Sequence, residues 1–312
     1  MSSELALQTG KKKGLSALRR SEAVLGYLYI SPWIIGFLIF TFFPFVASLY
    51  LSFTDYSILG TTTFTGLDNY VRMFTTDRLF WPSLRRTLYF AGVSVPLSLS
   101  GSLLCATLLN QKLKGTSFWR TFCFLPSLTP IVASALLWRW LLQPSFGPVN
   151  YLLGQLGIQG PAWMGSRQWA IPALIIVSLW GSVGGGQMII FLAGLQGVPQ
   201  EMYEAAEIDG AGVLRKFLNI TLPMISPTLF FNLILGIIGA LQVFALSYIA
   251  TEGGPAYATW FYILHLFYQA FRYMNMGYAS ALAWIFFVII LFFTVLQIRL
   301  SNRWVFYAGE LA

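Results

Sequence analysis

"AVLGYLYISPWIIGFLIFTFFPFVASLYLSFT", residues 23–54, runs its full length without one charged side chain. An α-helix needs roughly 20 apolar residues to cross about 30 Å of hydrocarbon, so this stretch is long enough to span a bilayer. Further charge-free runs lie within Thr87–Gln111, Thr121–Trp138, Gln168–Gln200, Phe217–Thr251 and Tyr273–Gln297. Composition agrees: 57% of the 312 residues are hydrophobic and 10% charged, against about 25% charged in soluble domains. The expected fold class is all-α, a polytopic membrane protein with six transmembrane helices. A shorter apolar stretch, "AYATWFYILHLFYQAF" (256–271), sits between a Gly-Gly-Pro turn and Arg272. It reads as a re-entrant or interfacial segment, with a seventh span as the alternative.

Lysine and arginine are retained in cytoplasmic loops, which sets the orientation. With both ends inside, Lys11, Lys12, Lys13, Lys112, Lys114 and Lys216 are all cytosolic, together with Arg19, Arg20, Arg120, Arg215, Arg299 and Arg303. The outer arginines, among them Arg72, Arg78, Arg85, Arg86, Arg139 and Arg167, are partly balanced by Asp55, Asp68, Asp77 and Glu252. The organisation is then a cytosolic N-terminal tail (1–22), polar and expected to be disordered to about residue 20, a six-helix transmembrane domain (23–300) and a cytosolic C-terminal tail (301–312), a multi-pass membrane protein. The net charge of +8 sits in the tail and short inner loops, not on one basic face, which argues against nucleic acid and for contact with anionic membrane lipid.

Enzymatic chemistry finds few parts here. His265 is the single histidine, too little for a multi-histidine metal site or a Ser-His-Asp triad. It is placed at the outer interface in preference to a proton relay. No G-x-x-x-x-G-K-[ST] phosphate loop occurs, and Cys105 and Cys123 both fall in predicted spans as small apolar fillers. No catalytic residue, metal site or cofactor is expected in this chain. Gly184-Gly185-Gly186, in the fourth span, allows close helix packing or a locally opened helix beside a transport path.

The most hydrophilic stretch of the second half is "PQEMYEAAEIDGAG", Pro199–Gly212, within a loop at 199–221. Pro199 suits a helix start, and Glu201 and Glu204 fall where the helix dipole favours anions. Glu201, Glu204 and Glu207 share one face, and Ala205 and Ala206 offer a small surface for close approach. Gly210 can take positive φ and end the helix at a sharp turn. A second short helix over about 213–219 then leads through Leu222-Pro223 into the fifth span.

Glu204-Ala205-Ala206, three residues, Gly210, nine residues and Ile220-Thr221-Leu222-Pro223 resembles the EAA loop of permease subunits of binding-protein-dependent ABC importers. The resemblance implies a type I ABC importer permease fold and makes this loop a coupling helix, docked in a groove of a separate ATPase. It gives Glu204, Ala205, Ala206 and Gly210 the coupling roles, with Tyr203, Asp209 and Leu214 as flanking contacts and Leu222-Pro223 as the anchor. "GLDNY" (66–70), "FGPVNYLLGQLG" (146–157), "TEGGP" (251–255), "MGYASALAW" (276–284) and "RWVFYAGE" (303–310) are similar to the carbohydrate-uptake branch, chiefly its first permease subunit in maltose-like and glycerol-3-phosphate systems. Such a subunit implies ATP-driven carbohydrate import by alternating access across the cytoplasmic (inner) membrane of a prokaryote. The implied partners are a second homologous permease, two copies of a cytosolic ATPase that bind ATP and magnesium, and an extracytoplasmic solute-binding protein.

Gln187, Asn232, Gln242 and Ser247 are neutral hydrogen-bonding groups in apolar runs, so they face either other helices or a watery cavity. Trp180, Phe244 and Tyr248 could stack on a sugar ring. Counted from Leu222-Pro223, "GIIGALQVF" (236–244) resembles the sugar-touching region of maltose-type subunits, which adds Gly239, Ala240 and Val243. It is much less polar than the maltose version, which shifts contacts toward the partner permease and the binding protein.

Overall fold

The computed structural model describes residues 17–57, 60–111 and 114–306. The expected disorder of the tail to residue 16, the placement of Lys112 and the end of "RWVFYAGE" lie outside them. The first span is α1 (Ala17–Phe37) and α2 (Phe43–Ser52), joined through a π-turn at Leu38–Phe42. That turn lies just ahead of Pro44. A proline ring clashes with the carbonyl four residues back and offers no N–H, and a widened i→i+5 turn absorbs both defects. The same device recurs at Phe217–Thr221, two residues ahead of Pro223.

Beyond α2 come the two-residue strands β1 (Thr54–Asp55) and β2 (Thr63–Phe64), paired antiparallel with Thr54 opposite Phe64, and α3 (Asp68–Thr75). The long α4 (Phe80–Leu109) is followed by α5 (Thr116–Phe124) and α6 (Ile131–Leu141), then α7 (Pro148–Gln155). Next are α8 (Ala170–Ser182) and α9 (Gly186–Gln196), α10 (Gln200–Ile208), α11 (Val213–Lys216) and α12 (Leu222–Met224). The chain closes with α13 (Ser226–Leu241), α14 (Ala245–Ala250), α15 (Tyr262–Phe267) and α16 (Met276–Ser301). Three long apolar segments, Glu22–Ser52, α4 and α16, can each cross a membrane, and three bent pairs bring the number to six. The bends are 94° between α5 and α6, 49° between α8 and α9, and 68° between the α11–α12 segment and α13. Six spans are therefore as expected, but half of them are broken.

The helix α4 is the central column, packed against α8, α9, α13 and α15. Its buried positions include Ser83, Thr87, Ala91, Ser94, Ser98, Ser102 and Ala106, small residues three or four apart along one face. Between spans, where lipid is as apolar as any side chain, close backbone approach and van der Waals contact drive association. A stripe of this kind permits both. Around it pack Phe90, Leu174, Val177, Leu246 and Phe261 towards one end, and Leu109, Phe191, Leu192, Leu195 and Ile225 towards the other. Since Leu195 leads into α10, the Leu109 end of α4 is the α10 end, and Phe80 marks the opposite one. The first span lies apart: from Val24 to Leu51 no residue is buried. Only its α2 end is held, by Phe45 packed at a tilt against Trp284 of α16 with ring centroids 4.7 Å apart, and by the Trp284 indole N–H donating to Ser48 Oγ at 3.2 Å.

The middle of the segment 256–271 is packed inside the protein, with Phe261, Tyr262, Leu264 and His265 0–1% exposed, while Tyr257 and Phe271 near its ends are exposed; His265 is thus not at a surface. His265 can be buried because both ring nitrogens are satisfied. The Trp260 indole N–H donates to Nδ1 at 3.2 Å, which makes Nδ1 the acceptor, so Nε2 carries the proton and donates to Asp77 Oδ2 at 2.7 Å. Tyr278 Oη donates to the same Oδ2 at 2.5 Å, while Oδ1 accepts the Leu79 and Phe80 amides at the threshold of α4 at 2.8 and 3.3 Å. One carboxylate thus joins α4, α15 and α16. Burial works to raise the Asp77 carboxyl, and the hydrogen bonds from His265, Tyr278 and Leu79 outweigh it, holding it well below the usual carboxylate range.

Candidate functional site

Two breaks in the helices open a cavity of about 610 Å³ beside α4, within the 300–1,000 Å³ range of ligand pockets. The first lies at 183–185. Gly184 packs so closely on α5 that a Cβ would stand 1.9 Å from the Cys123 carbonyl oxygen. Close packing and a locally opened helix are therefore both present in the glycine triplet. The second break, at 242–244, ends α13 and turns the chain into α14.

Ser98 on α4 donates its hydroxyl to Gln187 Oε1 at 2.7 Å and lies 2.9 Å from Ser182 Oγ. Gln187 spends its carbonyl on α4 and turns its amide nitrogen towards Gly236, where a Cβ would approach to 3.4 Å. Ser94, Thr129, Ser134 and Ser178 add hydroxyls to the wall, and Trp180 and Phe244 add aromatic rings. Trp180 is braced edge-on by Trp138 at 5.9 Å, and Phe244 stacks on Tyr248 at 5.4 Å. Among the described residues no charged side chain lines the cavity. Its chemistry is donors, acceptors and ring faces.

Of the residues singled out from sequence, Trp180, Gln187, Gly239, Ala240, Gln242, Val243 and Phe244 line this cavity. Asn232 does not: it is 0% exposed and neither side-chain polar atom has a partner. Ser247 is also buried, donating to the Thr259 carbonyl at 2.6 Å, a helix-to-loop bond. The serines and Thr129 went unmarked because a lone hydroxyl in an apolar run is too common to signal anything. Only the bends bring them to one wall.

The acidic loop lies at the other end of α9. Gly210 has φ +76°. Its N–H donates to the Glu207 carbonyl at 3.0 Å and the Ala211 N–H to that of Ala206 at 2.8 Å, which is the Schellman pattern that satisfies a helix's last carbonyls. Glu201, Glu204, Ala205 and Asp209 are exposed, whereas Tyr203 and Ala206 are half-buried. Leu214 is 71% exposed, and beside it stand Ile208 at 88% and Val213 at 82%. Three apolar side chains are thus left bare beside the carboxylates of α10. Ile208 and Val213 escaped the sequence reading because each resembles any short-loop aliphatic until its exposure is known.

Residues 98–305 match the family described as "Binding-protein-dependent transport system inner membrane component". The chain is 42% identical over 306 residues to the probable ABC transporter permease protein YesP of Bacillus subtilis, covering 95% of this chain and 98% of the relative. It is 37% identical to the trehalose/maltose transport system permease protein MalF of Thermococcus litoralis, over 92% and 97% of the two chains. With the lactose transport system permease protein LacF of Rhizobium radiobacter it shares 34% identity over 90% and 95%. Among solved structures, a chain of a bacterial alginate ABC transporter, crystallised with its alginate pentasaccharide-bound periplasmic protein, superposes with a TM-score of 0.80 at 25% identity, covering 91% and 96%. The bent spans, the cavity they enclose and the exposed acidic loop thus sit in a known frame: the chain belongs to the inner membrane components of binding-protein-dependent transport systems, as a multi-pass permease of the type I ABC importer fold.

Proposed function

We propose that this subunit passes an uncharged carbohydrate across the cytoplasmic membrane by alternating access, and that a separate ATPase drives it through α10. The observation that carries the reading is the cavity: hydroxyls, two glutamine amides and three aromatic rings, with no charged group among the described residues. Sugars present hydroxyls and apolar ring faces, and a wall of this composition matches both while offering an anion no counter-charge. The trehalose/maltose and lactose transport of the named relatives agrees with it. The exposed Ile208, Val213 and Leu214 supply the docking surface for the ATPase. The remaining partners are a second permease that completes the pathway and a solute-binding protein on the far side. Both chain ends are then cytosolic.

The test is the whole complex in proteoliposomes, with ATP hydrolysis measured while candidate-loaded binding protein is added. Neutral oligosaccharides should stimulate it; stimulation by an amino acid or a uronate alone would overturn the reading. Replacing Gln187→Leu together with Gln242→Leu should lower uptake about tenfold, the scale of two net hydrogen bonds, with the complex still assembled. Unchanged uptake kinetics would remove both amides from the pathway.

A further inference from the structure

Two side-chain bonds cross the turn between α10 and the helix that follows it. Tyr203 Oη lies 2.9 Å from Thr221 Oγ1, and Lys216 Nζ lies 2.5 Å from Glu207 Oε1. The first ties the N-terminal half of α10 to the end of the π-turn, just ahead of Pro223. The second ties its last turn to the end of α11. Between these fasteners the backbone is Gly210-Ala211-Gly212, a sequence with little resistance to bending because glycine tolerates nearly any φ. Left to that turn alone, α10 would swing under load. With both bonds made, it cannot pivot without breaking one of them.

We propose that Tyr203–Thr221 and Glu207–Lys216 are paired braces, positioning residues that make α10 and the segment from α11 to Ile225 one stiff lever. The inference rests on the reading that α10 docks a driving ATPase. Beyond Ile225 the lever continues into α13, whose far half presents Leu235, Gly236, Gly239 and Ala240 to the cavity. A displacement of α10 therefore reaches the cavity wall across the 68° bend at Ile225, where the Ile225 N–H to Thr221 and Leu229 N–H to Ile225 carbonyl bonds, at 3.0 and 2.9 Å, carry the backbone through. The burial pattern fits the division of labour. Glu201, Glu204 and Ile208 face outward for docking, whereas Tyr203 is half-buried and reaches Thr221. Tyr203, expected from sequence as a flanking contact for the ATPase, thus has its hydroxyl engaged within its own chain. Glu207 is 62% exposed against 19% for Lys216, so water screens this pair and it is the weaker brace, while the bond to the buried Thr221 carries more of the load.

The experiment uses the complete importer, co-expressed with its own partners and reconstituted in proteoliposomes, and reads substrate molecules transported per ATP hydrolysed. Tyr203→Phe and Thr221→Val should each lower that ratio by about threefold to tenfold, and Glu207→Lys and Lys216→Glu by about twofold to fivefold. Tyr203→Phe combined with Thr221→Val should be no worse than either alone, because both remove one bond. The exchange Glu207→Lys with Lys216→Glu should restore the ratio. Single variants at the wild-type ratio, or a charge exchange no better than its parents, would overturn the braces. Glu204→Lys separates the two ideas. If it uncouples hydrolysis while the brace variants do not, the braces fail and docking stands; if it changes neither ATPase recovery nor stimulation, the docking reading fails and the braces with it.

Discussion

Gly210→Val is expected to leave the subunit in the membrane and in its complex while cutting substrate-stimulated ATP hydrolysis by about fivefold to thirtyfold. The cause is local. Gly210 holds φ +76°, a region in which a side chain with a Cβ costs about 1–2 kcal/mol and a β-branched one is a genuine outlier. A penalty of that size changes a population ratio by the stated factor. It acts on the Schellman turn that closes α10, not on any span, so insertion should be unaffected. Nothing in this chain lies within 4 Å of where the Cβ would stand, which excludes a clash within the subunit as the explanation. Activity should therefore follow tolerance of positive φ, with Gly210→Asn the mildest change, Gly210→Ala intermediate and Gly210→Val the most severe. Normal stimulation of the valine variant, measured in nanodiscs with loaded binding protein, would show that the turn's geometry plays no part in coupling.

Asp77→Ala should lower stability by about 3–5 kcal/mol, since the His265 and Tyr278 donors are left buried without an acceptor at about 1–3 kcal/mol each and the amides at the start of α4 lose theirs. The sign of the pH dependence follows from the depressed carboxyl. A carboxylate whose folded value lies below its unfolded one contributes fully above the ordinary carboxylate range, about pH 4, and loses that contribution as the pH falls towards the folded value. Thermal melts of wild type and variant should stay apart by a constant margin at neutral pH and converge on acidification. A margin that persists unchanged at low pH, or is missing at neutral pH, would remove Asp77 from its place at the junction of α4, α15 and α16.

What could be read from sequence was what acts locally. Charge-free runs of sufficient length located six spans, because hydropathy over 20 residues is a property of the run itself. The end of α10 at Gly210 was legible for the same reason: the helix signals at Pro199, the carboxylates of the first turn and the glycine lie within a dozen residues. The bends were not legible, since a hydropathy window weighs composition and is blind to a backbone break at Gly184 or Ile225. The burial of His265 was hidden as well. Its partner Asp77 is 188 residues away, and a lone histidine in an aromatic stretch carries no mark of the carboxylate waiting for it. Asn232 shows the converse, a polar residue in an apolar run that the fold buries away from the cavity.

The first span has a consequence for the lipid around it. The continuous helix from Glu22 to Ser52 has 31 residues, which at 1.5 Å each makes it about 46 Å long, against about 30 Å of hydrocarbon. It must therefore tilt or project. Its α2 end is fixed to α16 through Trp284, and the remainder touches little else of this chain, so within the subunit the tilt is taken up by the free end. Bilayer thickness then becomes a mechanical variable for this subunit: a thick membrane stands the arm upright, a thin one lays it down, and the fixed joint at Trp284 bears the difference.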